Sequence, residues 1–115
     1  MSAAARPPDS PRPAQLSSHA LECLRRLAPR YVWWKTPDEA MQFPDRVAAQ
    51  VMDIGLWQDV LDLIEAVGDD YLRRVLQEAE IGQLNERSWH YWHYRLGLAE
   101  YGVRPVPPMP VRKLA

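Results

Sequence analysis

Apolar residues recur along this chain at intervals of three and four, and the intervals are interrupted by glycine or proline, the pattern of several short amphipathic helices. From Ser18 to Ala28, Ala20, Leu21, Leu24, Leu27 and Ala28 make one apolar stripe, and Pro29, which has no N–H to continue the ladder, is expected to end it. "RYVWW", Arg30 to Trp34, has no helical spacing and predicts a buried connector or a short edge strand. "TPDE" then supplies a cap at Thr36, proline at the first helical position and Glu39 placed to close a capping box. Phe43 and Pro44 end or bend that turn.

A helix is predicted from Pro44 to Ile54, carried by Val47, Val51 and Ile54, with Gly55 as a left-handed terminus. Leu56 to Val67 places Trp57, Val60, Leu61, Ile64 and Val67 on one broad face before Gly68. Asp69 or Asp70 can cap the next segment, in which Leu72, Val75, Leu76 and Ala79 repeat the spacing. The last helix is expected to start after Asn85 and stop at Gly97. Its seam is Trp89, Trp92 and Leu96, with His93 near it and Tyr91 and Tyr94 diverging.

Short links between such segments require the apolar faces to cover one another. The expected fold is all-α or mostly α: a compact bundle of four to five short helices, with a helix-turn-helix as one arrangement open to Trp57 through Ala79. Residues 1–15 read as a disordered proline-rich arm, 16–102 as the helical domain, and 103–115 as an extended tail. Within that tail, "PVPPMP", Pro105 to Pro110, favours polyproline II and is either an ordinary extension or a docking peptide for an aromatic groove.

Composition changes this picture in two places. Five Trp and five Tyr against one Phe is an unusual balance for 115 residues, and both favoured rings pair an apolar body with a hydrogen-bonding edge suited to a small core or a partner surface. The net charge of -1 conceals a division: Asp38 to Glu86 holds twelve acidic and three basic residues, leaving three acidic and eleven basic elsewhere. That balance argues against simple nonspecific DNA binding and allows a basic surface beside an acidic one.

Candidate chemistry is sparse. Cys23, the single cysteine, lies among Leu21, Leu24 and Leu27 and reads as a small core residue. No apolar run approaches the roughly 20 residues of a membrane span and no signal-peptide core is present, from which a cytoplasmic location is expected. His90 and His93 lack the further converging ligands of a zinc site, and neither a metal nor another cofactor is expected. No phosphate loop, HExxH helix, GxSxG elbow or paired CxxC occurs. Asp59 and Asp62, like Asp69 and Asp70, read as solvated helix and cap residues, so no enzymatic activity is expected.

Two binding roles remain. Arg73 and Arg74 on the second helix of a helix-turn-helix could contact phosphates, against the seven carboxylates of the same segment. A separate basic patch could combine Arg25, Arg26, Arg30, Lys35, Arg87, Arg95 and Arg104, with Tyr91 or Tyr94 stacking on bases. Protein recognition accounts for more of the pattern: Trp33, Trp34, Tyr91 and Tyr94 as rigid anchors, flanked by Arg87 and Arg95, and an acidic segment able to approach a basic cleft.

"RYVWW", "RVAAQVMDIGLWQDVLDLIEAVGDDYLRRVLQ" and "LNERSWHYWHYRLGL" together resemble small bacterial antitoxin-like proteins encoded beside nucleotidyltransferase toxins of the AbiEii type. The resemblance covers Arg30 to Leu98 and rests on Trp33, Trp34, Val51, Gly55, Trp57, Gly68, Arg73, Ser88 and Trp92. It implies a protein that neutralises a toxin by binding and covering its active region, with a toxin as partner and no chemistry of its own. "WHYWHY" is more aromatic than the family's ending. The alternatives are a small DNA-binding regulator and a structural module that buries its aromatics against a second copy as a homodimer.

Overall fold

The computed structural model describes residues 16–111, and the predicted disordered arm, residues 1–15, lies outside them. Among the described residues the chain forms six helices: α1 Ser18–Tyr31, α2 Pro37–Ala40, α3 Pro44–Ile54, α4 Trp57–Val67, α5 Asp69–Gln77 and α6 Glu86–Arg95. The mostly α bundle expected from the spacing is present. The only sheet-like pairing among these residues is one antiparallel bridge, Glu100 with Arg104.

Helix α1 runs past its expected end. Pro29 is exposed inside the helix, and the helix continues through Arg30 to Tyr31. Proline removes one ladder bond, but the last turn is held by tertiary contacts. Ala28, Tyr31 and Val32 are buried, and Val32 N–H donates to Ala28 at 2.7 Å. "RYVWW" is therefore the close of a helix followed by a turn, and the strand alternative falls. Trp33 and Trp34 stand exposed just beyond it.

The capping box at Thr36 and Glu39 forms as the sequence predicts, and its Thr36 N–H bond lowers the Glu39 carboxyl from its ordinary range. Asn85 caps α6 through Ser88 N–H. Helices α3 and α4 begin without any side-chain cap, at Phe43 and Leu56. Each instead carries an aspartate in its first turn that a tyrosine and an arginine from another helix hold in place.

At the start of α4, Tyr31 donates to Asp59 at 2.6 Å and Arg30 does the same at 2.6 Å, while Leu56 N–H donates to the Tyr31 hydroxyl at 2.9 Å. At the start of α3, Tyr71 donates to Asp45, and Arg74 bonds Asp45 at 3.0 Å and Glu78 at 3.1 Å. A negative charge at a helix start also complements the helix dipole. Asp59 is buried, correcting its reading as a solvated residue, and the Tyr31 bond holds its carboxyl below the usual range.

The glycines do different work from one another. Gly55 is not left-handed, with φ at -65°; a Cβ there would lie 2.4 Å from the Val51 carbonyl oxygen and 3.0 Å from Val60, so the α3–α4 turn needs the missing side chain for close approach. Gly68, the single link between α4 and α5, has φ +84° and ψ 160°, backbone space that is essentially glycine's alone. It is also the N-cap of α5, with Asp69 and Asp70 in the first turn rather than at the cap.

One continuous core joins all six helices. Leu24, Leu27, Val47, Val51, Leu63, Leu72 and Leu76 lie at its centre. Cys23 is buried as expected, and burial pushes its thiol pKa up. No helix among the described residues is long and apolar enough to cross a membrane.

Candidate functional site

The aromatic run of α6 divides as helical spacing requires. Trp89, Trp92, His93 and Leu96 are buried, while Tyr91 and Tyr94 are 42% and 43% exposed. Trp92 donates its indole N–H to the Met52 carbonyl at 2.9 Å, and the ring of His93 sits on Trp89 with its Nδ1 2.7 Å from the Trp89 carbonyl. His90 turns outward, its Nδ1 2.9 Å from the Glu86 carbonyl. Among the described residues no group of three His, Cys, Asp or Glu side chains is arranged to hold a metal.

Trp57 breaks the expected pattern. It is 61% exposed, because the core takes the Val60, Leu63 and Val67 stripe of α4, with Ile64 packed half-buried beside it, and leaves Trp57 and Leu61 on the shoulder. The tryptophans thus separate into a buried pair on α6 and three exposed rings, Trp33, Trp34 and Trp57.

Two of these rings, Trp34 and Trp57, sit at grooves flanking α3. In the first, of about 310 Å3, Trp34 faces Phe43, Val47 and Ile81. Trp33 stacks edge-on against Trp34 at 4.8 Å between centroids. The Arg46 guanidinium lies 4.6 Å from the centre of the Phe43 ring and also pairs with Glu80 at 3.3 Å, so the groove has an apolar floor and a charged rim. Lys35 approaches the same ring at 6.0 Å. A cation over an aromatic face is held there without losing its capacity to meet an anionic partner group.

The second groove, of about 450 Å3, is formed where α3 ends and α4 begins. Trp57, Tyr91 and Arg87 line it with Asp53 and Val60. Asp53 fixes this corner by accepting from Asn85 N–H at 2.9 Å, and its carbonyl accepts from the Ser88 hydroxyl at 3.0 Å. Arg87 and Arg95 are exposed, and no described carboxylate lies within ion-pair reach of either. Tyr94 and Arg95 lie three and four residues beyond Tyr91, on the same side of α6, but line neither groove.

Arg25, Arg26, Arg30 and Arg104 of the expected basic patch are engaged within the fold. Arg26 pairs with Asp62, Arg30 with Asp59 and His19 with Glu65, a ladder that joins α1 to α4; Arg25 pairs with Asp38. Arg104 donates to the carbonyls of Gly97 and Leu98. Part of the division of charge along the sequence is thus met by pairing between two packed helices, α1 and α4.

The two arginines proposed for phosphate contact are placed differently from that expectation. Arg74 is buried against Tyr71, Asp45 and Glu78. Arg73 donates to the Leu96 carbonyl at 2.8 Å and to Asp70 at 2.6 Å. The exposed residues of α5 and the loop after it include Asp70, Glu78 and Glu80, an acidic surface where a recognition helix needs a basic one.

Of the six residues predicted to meet a partner, Trp34 joins one groove and Tyr91 and Arg87 the other. Phe43 and Ile81 were not anticipated: the first reads as a helix boundary before Pro44, and the second as an isolated apolar residue in a polar loop. Comparison with protein-family models, with curated proteins and with solved structures returns no match.

Proposed function

We propose that this chain is a protein-binding module of the antitoxin-like kind, neutralising a nucleotidyltransferase-type toxin by docking over its active region. The observation that carries this reading is that Trp34 with Phe43, and Trp57 with Tyr91, stand exposed at grooves while other residues close the core. Large rings that the core does not need, set beside cations, have the chemistry of interface anchors. The resemblance over Arg30 to Leu98 supplies the class of partner, and Trp33, Tyr94 and Arg95 extend the surface around the two grooves.

A DNA-binding regulator is the less favoured reading, since Arg73 and Arg74 are engaged within the fold and α5 presents carboxylates. A self-assembly module would cover the same rings with a second copy. The discriminating experiment mixes the purified chain with the nucleotidyltransferase encoded beside it and follows nucleotide transfer. The expected result is stoichiometric loss of activity in a complex that survives nuclease. Full activity in the presence of excess chain, or a stable homodimer that buries Trp34 and Trp57, would overturn the proposal.

A further inference from the structure

The two buried tryptophans of α6 satisfy their indole N–H groups in different ways. Trp92 donates inside the helical core, whereas Trp89 donates at 2.8 Å to the carbonyl of Pro107, beyond the last helix. After Gly97 the chain reverses through paired bonds between Glu100 and Arg104, at 2.7 and 2.8 Å, which send the proline-rich tail back to that ring.

Residues 105–111 form neither helix nor strand. Val106 and Met109 pack half-buried against the core, with Pro107 and Pro108 exposed between them. Polyproline II has three residues per turn, so an interval of three puts these two apolar side chains on one side. Prolines have no N–H and can only accept hydrogen bonds, so an aromatic surface bearing an N–H donor is the complement such a segment requires. The tail is seated on Trp89 as a peptide ligand would be.

We propose that the Trp89 face of α6 is a binding seat for extended segments of the pattern apolar-Pro-Pro-apolar. The chain's own Val106-Pro107-Pro108-Met109 occupies it, and a protein partner carrying such a segment binds by displacing the tail. One hydrogen bond and the half-buried Val106, Met109 and Pro110 hold the tail. A tether of this length supplies roughly millimolar effective concentration, so the occupant is exchangeable. This site is separate from the grooves at Trp34 and Trp57 and stands or falls without them.

The test is made in the full chain. Val106→Asp with Met109→Asp is expected to release the tail, and the synthetic peptide RPVPPMPV serves as the probe. The readout is the indole N–H signal of Trp89, identified among five by its loss in Trp89→Phe. In the unsubstituted chain this proton is expected to be protected from exchange. In the double variant it loses protection and regains it as peptide is added with a dissociation constant of about 0.1 mM or tighter, while the unsubstituted chain, its seat filled at roughly millimolar effective concentration, takes up peptide at least about tenfold more weakly.

An unchanged Trp89 signal in the double variant, or no response to peptide up to about 10 mM in a variant whose other indole signals are intact, would overturn the proposal. Dependence of the Trp89 signal on protein concentration would also overturn it, by making a second copy the occupant. If the aspartates unfold the chain, Pro107→Gly with Pro108→Gly makes the same comparison while keeping both apolar side chains.

Discussion

At the scale of single residues, the two tyrosine–aspartate–arginine clusters decide how α3 and α4 begin. Tyr71 is fully buried and its hydroxyl meets a charged acceptor. Removing that hydroxyl leaves Asp45 short of a donor, so Tyr71→Phe is expected to cost about 2 kcal/mol in chemical denaturation. A loss under about 0.5 kcal/mol, the range of ordinary surface substitutions, would show that the cluster does not stabilise the helix start. Burial and the bond to a carboxylate also raise the phenol pKa of Tyr31 and Tyr71, so both are expected to resist ionisation until the chain unfolds in alkali.

The Asp59 carboxyl is held low in the folded chain. A lowered folded value means stabilisation that is fully present above the unfolded carboxyl pKa of about 4 and is lost as pH falls through the lower folded value. The melting temperature should therefore drop below about pH 4, and Asp59→Asn should flatten that dependence while lowering the plateau at neutral pH. An unchanged acid limb in Asp59→Asn would count against the role assigned to this carboxylate. None of this was legible beforehand. Asp59 and Arg74 have no partner close in sequence that marks them for burial, and the Tyr31 and Asp45 that justify it lie 28 and 29 residues away.

At the scale of elements, most of what formed could be read from spacing and local chemistry. The helix from Pro44 to Ile54, the capping box and the Asn85 cap are short-range features, and they occur where predicted. The misreadings were of elements that tertiary contacts overrule. Tyr31, anchored at Asp59 and Leu56, carries α1 past Pro29.

Gly55 and Gly68 both looked like helix stops, but they are needed for different reasons, and alanine separates them. Gly68→Ala meets no neighbouring atom and is expected to cost about 1 kcal/mol or more through its φ alone. Gly55→Ala places a Cβ against backbone at 2.4 Å and should force α3 and α4 apart, with the larger fall in melting temperature. The reverse order would contradict the close-approach account of Gly55.

At the scale of the whole molecule, the charge division was visible in the sequence, but its destination was not. Part of it goes into pairing α1 with α4, which sequence order cannot reveal. The candidate surface was half legible. Tyr91 and Tyr94 diverge from a well-defined helical seam, whereas Trp57 reads as core because its interval to Val60 and Leu61 is helical. Only the packing shows that α4 turns Val60 and Leu63 inward and leaves Trp57 out.

Because Trp34 and Trp57 are dispensable to the core, Trp34→Ala and Trp57→Ala should each change stability by no more than about 0.5 kcal/mol. At the proposed interface, losing a central aromatic anchor is expected to cost about 2 kcal/mol or more. The most direct measurement is the affinity of Trp34→Ala and Trp57→Ala for the proposed nucleotidyltransferase partner, read by titration beside the melting temperature of each variant. The expected result is affinity weakened about thirtyfold in at least one variant, with melting unchanged. Unchanged affinity in both, or loss of binding only in parallel with loss of the fold, would contradict a partner surface built on these exposed rings.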